Sequence, residues 1–233
     1  MDQNPCVKAV VIASPGNPTG AAYDQQQIQQ LAQVISQHDV FLISDEIYSE
    51  LVYDRSHVSF AKALPKQTIL MNGISKSHAM TGYRVGIIAA PAEIISQIAV
   101  VHELIDTALP DVTMAAAAEA FSNGIDDAKS MRQEYKKRRD FLISAFKKMD
   151  IDFVHPDGAF YLFFKIPDYC DQNSLRSVRQ IAQEARVGLT PGAGFGAEGY
   201  LRLSYAASMA DLETAAARLE KFFVKEKEKI TLS

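Results

Sequence analysis

Apolar residues along the chain fall into two rhythms, β-branched runs that are nearly continuous and stripes spaced at three and four. Residues 7–13 (Val-Lys-Ala-Val-Val-Ile-Ala) form the first run and read as a strand covered on both faces. Asp24, with Gln27 three places on, forms a capping box for a helix whose apolar positions are Ile28, Leu31 and Ile35. Residues 40–43 make the next strand, and strand, helix, strand with short links predicts a right-handed parallel crossover. Residues 55–66 read as an irregular surface excursion and 68–71 as a short buried strand. Residues 84–89 are a further strand, and Pro91 with Glu93 opens the helix after it. The alanine-rich run 115–120 predicts a helix packed closely against a neighbour.

A long helix is predicted over 126–149, with Met131, Tyr135, Leu142, Phe146 and Met149 on one stripe. Lys136, Lys137, Arg138 and Arg139 read as its solvated face. Beyond 150 the rhythm shortens. Strands are predicted over 159–164, 187–190 and 200–204, with a helix starting near Ser174. A last helix over 208–227 is opened by Ser208 and Asp211 as a second capping box. The pattern predicts an α/β domain over 1–125, mainly a parallel sheet with helices. A small α+β domain over 126–233 follows and includes the long helix.

Composition narrows the function classes. The 233 residues are 48% hydrophobic and 22% charged, which excludes a disordered or membrane-spanning chain. A formal net charge of −4 argues against a nucleic-acid surface, so the basic tetrad on the long helix is not read as one. Cys6 and Cys170 are too few and too far apart for a disulfide framework or a metal site and read as buried or incidental thiols. Residues 1–5 show no basic region followed by an apolar core, and no apolar run is long enough to span a bilayer. The expectation is a soluble cytoplasmic protein with no membrane or nucleic-acid partner.

Candidate chemistry centres on Lys76, directly behind the strand at 68–71 and eight residues before Arg84. Open α/β folds place ligands at the carboxyl edge of the sheet, where a desolvated lysine can attack a carbonyl carbon and an arginine can clamp an anion. A Ser-Lys pair in a loop is more often a solvated surface feature, so the weight lies on its company. Four segments supply it: Ser14-Pro15-Gly16-Asn17-Pro18-Thr19-Gly20, Ser44-Asp45-Glu46-Ile47-Tyr48, Ser75-Lys76 through Gly82-Tyr83-Arg84, and Tyr200-Leu201-Arg202-Leu203-Ser204. In this order and spacing the chain resembles the fold-type I pyridoxal-phosphate (PLP) aminotransferases of class I/II. The resemblance is to the bacterial branch with aspartate, aromatic and N-acetyl-diaminopimelate aminotransferases.

The resemblance implies a partial PLP-transferase large domain followed by the small C-terminal domain. It implies PLP as cofactor and an amino acid and a 2-oxo acid as substrates. Lys76 would hold the cofactor as a Schiff base and act as general base and acid. Asp45 would keep the pyridine nitrogen protonated, and Tyr48 and Asn17 would hydrogen-bond the phenolic oxygen. Arg84 and Ser75 would bind the phosphate, Arg202 and Asn17 the substrate α-carboxylate. The loop 191–196 resembles the family's mobile active-site loop. Each has a plainer alternative: Asp45 as a turn cap, Asn17 as a turn residue, Arg84 as a solvent-facing arginine at a strand start.

Departures from the family pattern are also visible. Gly73 stands where many relatives carry a serine hydroxyl, leaving Ser75 as the nearer one. Residues 107–114 lack the usual polar segment. The family's long N-terminal section, with its phosphate loop and ring-stacking aromatic, cannot be placed in these residues. Open sheet edges and exposed apolar faces are therefore expected, with a homodimer or association with a chain supplying that section. The competing expectations are a PLP C–S lyase and a non-catalytic or partner-dependent aminotransferase-like chain.

Overall fold

The computed structural model of the protein describes residues 6–231, and residues 1–5, the stretch without a secretory pattern, lie outside the described residues. Contacts divide the chain into two compact units. The first runs up to Gly16 and resumes over Ala22–Arg132; the second joins Asn17–Ala21 to the chain from Gln133 onward.

The first unit is built on a sheet of β1 (Ala9–Ala13), β2 (Phe41–Asp45), β3 (Thr68–Gly73) and β4 (Gly86–Ala89), side by side in that order. The first three are parallel and β4 is antiparallel to β3, the mainly parallel α/β layout expected. Helices α1 (Gln25–Ile35) and α2 (Phe60–Ala63) cover one face. Ile28, Ile35, Phe60 and Leu64 pack there on Leu42, with Val10 and Ile12 beside them. The capping box at α1 forms: Asp24 Oδ1 accepts the Gln27 N–H at 2.8 Å, and Gln27 Oε1 accepts the Asp24 N–H at 2.9 Å. Helix α2 lies within the stretch expected to be irregular and is capped by Ser59, whose Oγ accepts the Ala61 N–H.

The opposite face is bare. Val11 is paired with Ile43 and Ile43 with Ile69, so these side chains share that face. Val11 is 69% exposed, and Phe41, Met71 and Ile88 are each more than 40% exposed. The expected strand covered on both faces is thus corrected: it is Ala9–Ala13, covered on one face. The helices α4 (Ala92–Ile105) and α5 (Asp111–Ser122) follow. No residue of α4 is buried, and Leu104 is 83% exposed. The expected strand 84–89 begins only at Gly86, because Arg84 adopts a left-handed conformation (φ 58°) that no strand residue takes.

Helix α6 (Ile125–Lys148) carries the chain into the second unit. There β5 (Phe153–Val154), β6 (Tyr161–Lys165), β7 (Thr190–Pro191) and β8 (Tyr200–Ser204) form an antiparallel sheet in the order β5-β6-β8-β7. Helices α7 (Ser174–Glu184) and α8 (Met209–Thr231) complete it. Leu142 and Phe146 of α6, Leu162 and Phe164 of β6, and Leu219 of α8 are fully buried. The Phe146 and Phe164 rings meet edge to face at 4.9 Å. Strand β6 starts two residues later than expected, since Ala159 is left-handed (φ 57°). The strand expected over 187–190 is reduced to the two residues of β7. Neither cysteine is in a disulfide, Cys6 being exposed and Cys170 half-buried. Among the described residues no helix is long and apolar enough to cross a membrane.

The basic tetrad of α6 is not a uniform solvated face. The Arg139 side chain is 3% exposed, with Nε and Nη2 on Asp140 at 2.9 and 2.7 Å and Nη1 on the Pro156 carbonyl at 3.3 Å. The spacing explains it: Arg139 lies four residues after Tyr135 and three before Leu142, within the apolar stripe itself. On this packing, Phe146→Ala is expected to cost about 3–5 kcal/mol in urea denaturation. Val11→Ala on the bare face is expected to cost less than about 0.5 kcal/mol. Equal costs would contradict this division of covered and bare surface.

Candidate active site

Parallel strands end at the same sheet edge, and the β2–β3 pair uses that edge to present most of the predicted cofactor residues. Asp45 closes β2 opposite Met71 of β3, and the Glu46 N–H continues the ladder onto the Met71 carbonyl at 2.8 Å. The Asp45 carboxylate accepts the Ile47 N–H at 3.1 Å, so the turn-capping role is real. Tyr48 is 5% exposed at the start of the 3₁₀ turn Ser49–Leu51. That turn is tied to β3 by Asn72 Nδ2, which donates to Ser49 Oγ at 3.0 Å.

Strand β3 runs directly into α3 (Ile74–Ser77), a single turn holding Ser75 and Lys76, both half-buried. Gly73 at the junction faces Gly86 of β4, and a Cβ there would lie 2.7 Å from the Val85 carbonyl oxygen. A serine at this place would need the backbone to shift, which accounts for the glycine. Arg84 follows the 3₁₀ turn Thr81–Tyr83, outside the strand, and its Nη1 donates back to the Thr81 carbonyl at 3.0 Å.

Asn17 and Arg202 belong to the second unit and meet there. Arg202 sits mid-strand in β8, between Phe163 of β6 and Thr190 of β7. Its Nη1 donates to Asn17 Oδ1 at 2.6 Å and its Nη2 to Thr190 Oγ1 at 3.1 Å. The guanidinium carbon lies 4.4 Å from the centre of the Tyr161 ring and 5.0 Å from that of Phe195. Nε is buried with no partner among the described residues. A fork held by two oxygens and two rings, with one donor unanswered, is suited to an anion.

Gly20 holds the Asn17 segment in place. Its φ is +71°, a Cβ would lie 2.8 Å from both Gly158 O and Pro156 Cβ, and its carbonyl accepts the Gly158 N–H at 2.8 Å. Thr190 and Tyr161 were not singled out from the sequence. Their signal is period two along strands flanking Arg202, usable only once strand order is known.

Glu46 was also missed, and it is the best-connected side chain beside Asp45. It is 2% exposed. Oε1 accepts from Ser44 Oγ at 2.9 Å, Ser59 Oγ at 2.8 Å and the Phe60 N–H at 3.2 Å, and Oε2 lies 2.7 Å from His57 Nε2. Consecutive strand residues point to opposite faces, so Glu46 locks the covered side of the strand end whose other side carries Asp45.

The first unit is thus a mainly parallel α/β sheet with an aspartate and a lysine at the carboxyl ends of neighbouring strands, and the second an antiparallel α+β unit with a prepared arginine. The model of the family Aminotransferase class I and II matches residues 2–219. The chain is 42% identical over 226 residues to the probable N-acetyl-LL-diaminopimelate aminotransferase of Bacillus subtilis, covering 96% of this chain and 57% of that protein. It is 37% identical over 227 residues to the aspartate aminotransferase of Geobacillus stearothermophilus, covering 94% and 58%. Among solved structures, it matches the aromatic aminotransferase from Pyrococcus horikoshii with a TM-score of 0.91 at 35% identity, covering 96% and 62%. The chain therefore belongs to the class I and II aminotransferase family, whose members use PLP. It spans less than three-fifths of the length of the two curated relatives above.

The Glu46 cluster makes a pH prediction. Burial would by itself raise this carboxyl, but hydrogen bonds from His57, Ser59 and Ser44 and the His57 charge outweigh it, so it titrates below the ordinary 4.5. Its contribution is full above about pH 4.5 and is lost as pH falls through the lowered folded value. Glu46→Gln is expected to cost about 1–3 kcal/mol at neutral pH and to flatten the loss of stability on the acid side. Urea melts at stepped pH check this, and identical acid limbs in the two proteins would dismiss it.

Proposed function

We propose that this chain carries the cofactor and carboxylate residues of a PLP-dependent aminotransferase that moves an amino group between an amino acid and a 2-oxo acid. One observation carries the reading: Lys76 leaves β3 on a single turn at the sheet edge where the adjacent parallel strand ends in Asp45. The donor set fits the cofactor, with an amine at Lys76, a carboxylate at Asp45, hydroxyls at Tyr48 and Ser75 and a guanidinium at Arg84. When bound, PLP supplies an electron sink that makes the substrate's α-proton labile.

The chain's own residues do the rest. Lys76 Nζ would hold the cofactor, and the same amine would be the base that takes and returns the substrate's α-proton. Asp45 would pair with the ring N–H, Tyr48 and Asn17 would donate to the ring oxygen, and Ser75 and Arg84 would bind the phosphate. Arg202, with Asn17 beside it, would take the α-carboxylate on a planar fork.

The proposal includes assembly. The bare face of Val11, Met71 and Ile88, with the exposed Leu104 and Ile105 of α4, is apolar surface of the kind that is covered in a working protein. A second copy, or polypeptide corresponding to the remaining length of the relatives, would cover it. A cytoplasmic location is part of the same reading and agrees with two cysteines that form no disulfide.

Adding PLP, reducing with borohydride and mapping the modified peptide is expected to find the label on Lys76 and to lose it in Lys76→Ala. Asp45→Asn is expected to keep the label and lower amino transfer on the order of 10²-fold. Release of product from an amino acid without any 2-oxo acid would favour the C–S lyase reading. A folded chain with no label would favour the non-catalytic one. In sedimentation the expected species is heavier than one 25.7 kDa chain, and a strict monomer would remove the assembly part.

A further inference from the structure

Helix α3 is one turn long, and a single turn has too few internal hydrogen bonds to hold its own geometry. Its closing bond is the His78 N–H on the Ile74 carbonyl at 3.2 Å. The His78 imidazole supplies two more anchors. Nδ1 lies 2.8 Å from the buried Ser77 Oγ, and Nε2 lies 2.9 Å from the carbonyl oxygen of Gly124, between α5 and α6. A carbonyl only accepts, so Nε2 carries the proton, and in the neutral ring Nδ1 accepts from the Ser77 hydroxyl.

The far anchor is shaped for the ring. A Cβ on Gly124 would lie 3.0 Å from His78 Nε2 and 2.8 Å from the Ala120 carbonyl oxygen, so any side chain there would displace one or the other. Beneath it, Ile74 and Val85 pack on Ala117 and Ala120, which seats α3 on α5. Beside the ring, Met80, Glu119, Asn123, Asp127 and Met131 line an open hollow of about 450 Å³. A ring without its two bonds has space to swing away there.

We propose that His78 is a positioning residue for Lys76: bridging Ser77 and the Gly124 carbonyl, it fixes the single turn that aims the lysine amine. The inference rests on Lys76 being the cofactor-holding amine. His78→Phe keeps a ring and removes both polar atoms, His78→Gln keeps an N–H that can reach Gly124, and Gly124→Ala displaces the ring. Each variant is mixed with PLP and quenched with borohydride at timed intervals. The Lys76 amine condenses with the cofactor aldehyde with loss of one water, and hydride addition to the C=N bond fixes the product as a secondary amine.

His78→Phe and Gly124→Ala are expected to slow labelling of Lys76 roughly tenfold, the scale of one or two lost hydrogen bonds, with most of the rate restored in His78→Gln. Amide exchange over residues 74–78 is expected to quicken in His78→Phe while the other helices keep their protection. Labelling in both slow variants within about twofold of the parent, with unchanged exchange over 74–78, would overturn the proposal. No label in the parent chain would sink the cofactor reading instead, and exchange alone would then decide for or against His78. Were His78→Phe not to fold, Gly124→Ala against His78→Gln makes the same comparison, and equal rates would overturn it.

Discussion

Two strands running the same way through a sheet must end at the same edge, and the pairing of β2 with β3 turns that constraint into a site. The register that sets Asp45 opposite Met71 fixes where the carboxylate stands relative to the turn that begins after Gly73. Nothing in the local sequence of either strand enforces this. It comes from the ladder and from the apolar contacts of Leu42 with Ile28, Ile35 and Phe60, which allow β2 only one face toward α1 and α2. Slipping β2 by a single residue would turn Asp45 under the helices and expose Glu46, leaving a buried carboxylate without the four donors that Glu46 has.

Glu46 and Asp45 show how one strand end serves two purposes. A carboxylate that is almost fully buried is tolerated only when its oxygens are answered, and Ser44, His57, Ser59 and the Phe60 amide answer them. The cluster ties β2 to the start of α2 while Asp45 stays half-buried on the other side. Stability and chemistry are thus carried by neighbours of the same residue class, separated by the alternation of the strand.

In the second unit the equivalent constraint is antiparallel order. Placing β8 between β6 and β7 sets Arg202 across from Thr190 and near the Tyr161 ring, while the 3₁₀ turn after β7 adds Phe195. The fork is held flat before any ligand arrives, which reduces the ordering cost of binding an anion. Arg139 fits the same logic from below: a charged residue on an apolar stripe is affordable because Asp140 and the Pro156 carbonyl take its donors.

Local pattern was enough for much of this. The sequence alone determined the α/β class, the capping box at Asp24, the Ser208 hydroxyl that caps the last helix, the long helix with its stripe, and the order of the four motifs, because these depend on neighbours a few residues apart. It placed Arg84 in a strand and Arg139 in solvent, since a left-handed φ and a polar residue on an apolar stripe are settled by what packs around them. Tertiary structure alone decided that Asn17 and Arg202, 185 residues apart, share a hydrogen bond, that His78 reaches Gly124, and that one face of the first sheet stays bare. Such contacts join stretches whose order is visible in the chain but whose distance is not, and only the closing of the sheets and helices brings them within reach.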